Sequence, residues 1–157
     1  MTGTITLLGT TTTHSSTYVF GSDGSITYPL SQFESSGVSL SGSSGVFWPP
    51  AAVIDSGKPS TSQLKISISE SGQKFSTTAH ITVQGAGTQS VTVPAGTYDA
   101  TVVNMTEAVS VEGVTVTIVV RTWLAPGVGP VKDEVISNEA GTDHVTATEV
   151  LESFTSG

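Results

Sequence analysis

A chain of 157 residues suits about one domain, and its 5 basic against 13 acidic residues leave a formal net charge of −8. That sign repels phosphate backbones and anionic headgroups, so nucleic acid is not expected as a partner. There is no cysteine, which excludes disulfides, thiolate metal sites and cysteine nucleophiles.

Val, Ile, Thr, Ser and Gly dominate the sequence, good helix formers are scarce, and 17 Gly and 7 Pro punctuate it. The expected class is all-β: one strongly curved antiparallel sheet (a half-barrel), or a sandwich, of about ten strands with little or no helix. Residues 1–157 read as one β domain with a flexible Ser/Gly-rich loop around 31–45. Charged residues make up only 11%, so solubility rests on Ser and Thr hydroxyls, a habit of extracellular and cell-envelope β-proteins. The expected location is therefore extracytoplasmic, with Met1 standing where a leader has been removed. No apolar run approaches the ~18 residues that a spanning helix needs.

In chain order, residues 4–8 (TITLL) read as a first strand, followed by a polar, flexible segment that carries His14. TYVF (17–20) and SITYPL (25–30) flank Asp23-Gly24, a hairpin signal. Residues 31–45 read as a long loop or as weakly paired edge strands. Phe47 and Trp48 then precede Pro49-Pro50, which predicts an aromatic anchor leading into an extended, polyproline-like turn. Trp48 reads either as a plug in the core or as an exposed binding aromatic.

QLKISIS (63–69) and KFSTTAHITVQ (74–84) alternate cleanly and predict a hairpin with one buried and one wet face, His80 on the wet one. GAGT (85–88) should break the ladder before a strand at 89–93. Pro94-Ala95-Gly96 turns the chain into a strand at 97–105, and 106–113 reads as a polar connection with room for a short strand. VTVTIVVRTWL (114–124) is the strongest strand, with Val114, Val116, Ile118 and Val120 on one face and Val119, Arg121 and Trp123 on the other. Ala125-Pro126-Gly127 turns into 128–136. The last strand, 144–154, should bulge near Glu149, where Val150 and Leu151 are both apolar.

Val93-Pro94-Ala95-Gly96-Thr97-Tyr98, then Trp123, Ala125, Pro126, Gly127, Gly129, Val131 and Lys132, form a V-PAGT-Y and W-x-APG-x-G-x-VK pattern. It resembles the C-terminal part of bacterial envelope lipoproteins whose sheets look like the half-barrel of LolA-like lipoprotein carriers. The resemblance implies a curved sheet with an apolar concave face in which an acyl chain can lie. In those carriers helices close that face; here no helix of ten or more residues is expected, and either the loops of 31–62 cover the face or it is packed shut.

Catalytic patterns are sparse. No G-x-S-x-G elbow exists, and Ser62/Lys65 and Ser71/Lys74 have S-x-x-K spacing at strand starts rather than at a helix. His14, His80 and His144 lack metal-ligand spacing. Asp133-Glu134 and Glu149/Glu152 are expected on solvated faces. The expectation is thus a non-enzymatic secreted or cell-envelope β-domain, without a cofactor, that binds a lipid or other apolar ligand or another envelope protein. The alternative is a structural surface protein, a homo-oligomer or filament subunit assembling by strand exchange. Phe47 and Trp48 are the candidate ligand-binding residues.

Overall fold

The computed structural model describes residues 2–7, 10–15, 18–28, 38–42, 46–70, 73–111, 114–139 and 142–154, with side chains at 18–27, 48–67, 74, 76–110, 115–137 and 142–154. The described residues form twelve strands and one short helix. In chain order they are β1 (Thr2–Leu7), β2 (Thr10–Ser15), β3 (Val19–Phe20), β4 (Ile26–Tyr28), β5 (Val38–Gly42), β6 (Val46–Trp48) and α1 (Ala51–Asp55). Then come β7 (Ser60–Glu70), β8 (Gln73–Val93), β9 (Gly96–Val111), β10 (Val114–Ala125), β11 (Gly129–Glu139) and β12 (Thr142–Ser153). Nine of them make one antiparallel sheet in the order β2-β1-β12-β11-β10-β9-β8-β7-β5, and β3-β4-β6 make a second, small sheet. The nine-stranded sheet is not closed: β2 and β5 are its edges.

Six consecutive strands, β7 to β12, form an up-and-down meander, which is what short turns between antiparallel neighbours dictate. The β-branched threonines of 10–15, read from sequence as flexible, instead pair with β1. GAGT does not end the ladder. β8 runs through it for 21 residues, and the pairing with β9 shifts between Gly85 and Thr88. Two residues on β8 there oppose one on β9, with Gly87 at φ +90°. This bulge flips the pleat of β8, so Ala79, Ile81 and Val83 face one core while Val91 and Val93 face another. Of the connection expected at 106–113, residues 106–111 are strand, the end of the 16-residue β9.

Opposite faces of the sheet thus carry two cores. On the inner face Leu64, Ala79, Ile81, Val83, Val103, Met105 and Leu124 cluster with Ile26, Trp48 and Ile54 from the small sheet and α1. On the outer face Val93, Ala100, Val102, Trp123, Ala125, Val131 and Leu151 form the second cluster. That face is covered by the sheet's own β8–β9 hairpin, whose tip is tied down by Ala95 N donating to Leu151 O at 3.1 Å.

The residues after Pro49-Pro50 are helical. Pro50 keeps the extended conformation (φ −50°, ψ 145°), and its carbonyl accepts from the amides of Val53 and Ile54. Proline tolerates the start of a helix because the first amides have no intrahelical acceptor. The register shifts of β12 fall opposite Val135/Ile136 and at its end near Leu151/Ser153, while Glu149 itself stays in register with Asp133 and Ile5. The expected bulge therefore flanks Glu149 instead of sitting on it.

Candidate functional site

The inner-face cover is where a site can exist, because it is made of a chain segment separate from the strands it covers. Asp23-Gly24 turns β3 into β4, with Ser25 N donating to Asp23 Oδ1 at 3.0 Å and Gly24 at φ +80°. Hydrogen bonds from the Ser25 hydroxyl and then its amide hold the Asp23 carboxyl below the usual range. Ile26 and Trp48 are register partners, and both are buried. The Trp48 ring lies 6.2 Å from that of Tyr18, tilted by 58°, and its Nε1 is buried with no hydrogen-bond partner among the described residues. Ile54 is the one buried residue of α1. The Gly57 carbonyl behind the helix accepts from Gln84 Nε2 at 2.9 Å, which fixes the cover to β8. At Gly85 a Cβ would collide with the Ile54 carbonyl oxygen, so glycine is required by close approach of two backbones.

The cover does not seal the face at the end where β9 and β10 meet their turns. A cavity of about 210 Å³ opens there between the β3–β4 hairpin, α1 and the Pro126-Gly127 turn. Ile26, Ile54, Leu124 and Ala125 make its apolar floor, Phe20 stands half-exposed among its walls, and Asp55 and Thr101 are its polar members. The turn behind it follows from sequence: Pro126 and Gly127, the latter at φ +73°, take the central positions, and Val128 N donates to Ala125 O at 3.1 Å.

Of the two aromatics singled out from sequence, Trp48 is core, supporting the face beneath the cavity and not lining it. The Phe47 side chain lies outside the described residues; its backbone pairs with Thr27. Ser62 and Lys65 alternate onto opposite faces of β7. Ser71 and the His14 side chain lie outside the described residues, while His80 and His144 are exposed on separate strands.

The motif residues converge. Val93, Trp123, Ala125 and Val131 are in the outer core, with Ala95, Tyr98 and Val128 packed against it. Lys132 Nζ sits 4.5 Å above the Trp123 ring and 2.6 Å from Glu134 Oε1, while Trp123 Nε1 donates to Gln89 Oε1 at 3.1 Å. The pattern therefore builds a latch between β10, β11 and the hairpin tip.

Asp133 and Glu149 contradict the expectation of a solvated face. They are register partners on the inner face, in a row with Thr122, and Thr122 Oγ1 donates to Asp133 Oδ1 at 2.5 Å. Burial pushes the Asp133 carboxyl up to about 7, against the Thr122 hydrogen bond and aided by the neighbouring Glu149; burial likewise raises Glu149 to about 7. Glu107 is half-buried on the same face and is also raised by burial. The signal was present in sequence: Asp133 shares its parity with Val135, and Glu107 with Met105 and Val109, both apolar positions.

The DUF3108-like family profile matches residues 28–146. The chain belongs to the DUF3108-like family. No curated protein matches it. Among solved structures, a protein from Parabacteroides distasonis ATCC 8503, provisionally described as a lipoprotein, is 15% identical with a TM-score of 0.60, covering 97% of this chain and 92% of that one. A protein from Bacteroides fragilis NCTC 9343, provisionally described as exported with a YmcC-like fold, is 20% identical with a TM-score of 0.51. That match covers 76% of this chain and 57% of the other, so this chain spans a little over half of that protein's length. At these identities the likeness is one of fold.

Proposed function

We propose that this member of the family is a non-enzymatic, extracytoplasmic β-domain that holds the apolar end of a ligand in the cavity beneath α1. The observation that carries the reading is the cavity itself: about 210 Å³, with Ile26, Ile54, Leu124 and Ala125 as its floor, left open beside a cover anchored on the inner face. A cavity of roughly 150 Å³ with such walls takes up benzene, so this one has room for an aromatic ring or a short alkyl terminus. Asp55 among the lining residues disfavours a carboxylate or phosphate close to the apolar end and favours a neutral or cationic polar group. Location outside the cytoplasm is supported by the Ser/Thr-based solubility and by the descriptions of the two structural neighbours. An open antiparallel sheet with an apolar inner face also agrees with a carrier of the LolA-like kind, α1 and the small sheet standing where longer helices would close the face.

The test is titration with the neutral fluorophore N-phenyl-1-naphthylamine, followed by displacement with alkyl alcohols and alkyl carboxylates of equal length. Saturable binding is expected, with the alcohol displacing better than the carboxylate. Ala51→Trp, at an exposed helix position on the cavity wall, should abolish it while the β-rich circular dichroism persists. A wild-type chain that binds no probe, or an Ala51→Trp variant that binds equally well, sinks the proposal.

A second reading rests on the open sheet: β2 and β5 each have a neighbour on one side only, and strand exchange between copies would use those edges. A chain that stays monomeric by sedimentation at high concentration discards it.

A further inference from the structure

The cover of the inner face leaves a second region bare, at the opposite end of the sheet from the cavity. Strand register lays out that region row by row. Ala79, Val109 and Val116 are neighbours across β8, β9 and β10; the next row is Ile81, Glu107 and Ile118; the next is Val83, Met105 and Val120. Residues that pair in register share a face, so Glu107 is surrounded on all sides by apolar neighbours. Toward β8 the rows are buried, with Ala79 and Ile81 at 0% and 2% exposure; toward β10 they are open, with Val116 at 55% and Ile118 at 39%. Val116 and Ile118 are two exposed β-branched residues side by side on one face of β10, and contiguous exposed apolar surface marks an interaction site more often than chance.

Glu107 gives the surface its chemistry. Its carboxyl is half-buried, and among the described residues no hydrogen bond or ion pair engages it; burial alone raises its affinity for a proton. A carboxylate held against apolar surface without a partner is costly, and a desolvated cation is what relieves it. The form of the partner follows from the backbone. On β9 the amides and carbonyls beside Glu107 are consumed by the β8–β9 and β9–β10 ladders, so whatever covers Glu107 cannot add there as a strand. An element docking on a sheet face does so with side chains, and a helix laid on a sheet is the common layer that achieves this.

We infer that the open end of the inner face, centred on Glu107 between Ile81 and Ile118, is a docking surface for a basic amphipathic helix of a partner protein. One Lys or Arg of that helix pairs with Glu107, and its apolar stripe covers Val116, Ile118 and Val109. The chain's net charge of −8 favours the encounter with a basic partner and opposes a second copy of this chain as the occupant.

The test uses the full chain and an 18-residue amphipathic Leu/Lys helical peptide, with a control peptide carrying Gln for every Lys, in isothermal titration at two salt concentrations. The Lys peptide should bind and the Gln peptide should not. Glu107→Gln should weaken binding about tenfold, the loss of one half-desolvated ion pair, and Ile118→Ser by a similar factor. Asp99→Asn removes the same charge from an exposed position on the hairpin and should change affinity by less than about twofold. Equal losses for Glu107→Gln and Asp99→Asn would mean non-specific attraction and overturn the inference, as would absence of binding by the wild-type chain. Self-association that Ile118→Ser abolishes would assign the surface to a second copy and overturn it too. Thermal melts of each variant separate lost binding from lost folding, and Glu107→Gln, which removes an unpaired charge, should melt no lower than wild type.

Discussion

The two cores on opposite faces of the same sheet are closed in different ways. The outer one is closed locally. The β8–β9 hairpin bends at the Gly85–Thr88 bulge, lays Val91 and Val93 over Trp123 and Leu151, and is pinned through Ala95 N. The inner one is closed by elements from elsewhere in the chain, β3, β4, β6 and α1, through three buried side chains, Ile26, Trp48 and Ile54. A flap that is part of the sheet can fit it along its whole length, whereas a separate cover fits where its few anchors fall and leaves gaps at its ends. Both the cavity beneath α1 and the bare region around Glu107 are such gaps. Function, on this view, belongs to the face with the imperfect cover.

If the cover is separable, its loss should be local. Trp48→Ala should cost about 3–5 kcal/mol by urea unfolding, as large buried aromatics do, and amide exchange should rise first in β3, β4, β6 and α1. Trp123→Ala should cost a similar amount, but with exchange rising through β8 to β11 together, because its cluster is the sheet. Identical exchange patterns for the two variants would erase the distinction. Next in size is Gly85→Ala: the new Cβ meets the Ile54 carbonyl, so α1 must shift, at about 1–3 kcal/mol. That variant should also lose probe binding in the cavity while leaving the hairpin tip protected.

The outer core was legible in the sequence and the inner cover was not, and the reason is range. V-PAGT-Y and W-x-APG-x-G-x-VK specify turns by Pro and Gly at fixed offsets, so a local reading finds them, and they fall where their chemistry says. The alternation of 63–69 and 74–84 gave the β7–β8 hairpin in the same way. GAGT looked like a break because two glycines signal one; whether they end a ladder or bulge it depends on the partner strand. That Trp48 meets Ile26 and Tyr18, or that Ile54 lands on Gly85, follows from contacts 22 to 31 positions apart, arithmetic on residue numbers that no local pattern encodes. The half-buried carboxylates lie between. Their parity was readable, but the default that a charge faces water overrode it.

Asp133 and Glu149 turn the comparison into a pH experiment. Both are carboxyls whose folded pKa is raised, from 3.8 and 4.5 to about 7. The folded state therefore favours their protonated forms, so the stability they contribute is full below about pH 4, is lost as pH rises toward 7, and is constant above that. Urea midpoints should fall between pH 4 and pH 8, by an amount on the order of 1–3 kcal/mol from this pair. Asp133→Asn keeps an acceptor for Thr122 Oγ1 and removes the titration, so its advantage over wild type should appear at pH 8 and vanish at pH 4. A wild-type midpoint that is flat over this range, or an Asn variant equally displaced at both ends, would show that the pair is solvated after all.

The smallest effect distinguishes the two tryptophans by their N–H groups. Trp123 Nε1 has Gln89 as acceptor and Lys132 above its ring, so Trp123→Phe loses a hydrogen bond and most of a cation–π contact. Trp48 Nε1 is buried without an acceptor, and burying a donor that way already costs about 1–3 kcal/mol. Trp48→Phe deletes the unpaired donor along with part of the ring, and the relief offsets the lost contact area. Phenylalanine should therefore be tolerated better at 48 than at 123, by about 1 kcal/mol in urea unfolding. The opposite order would mean that the Trp48 N–H has a partner in solution, and a partner there would make the inner cover as tightly specified as the outer latch.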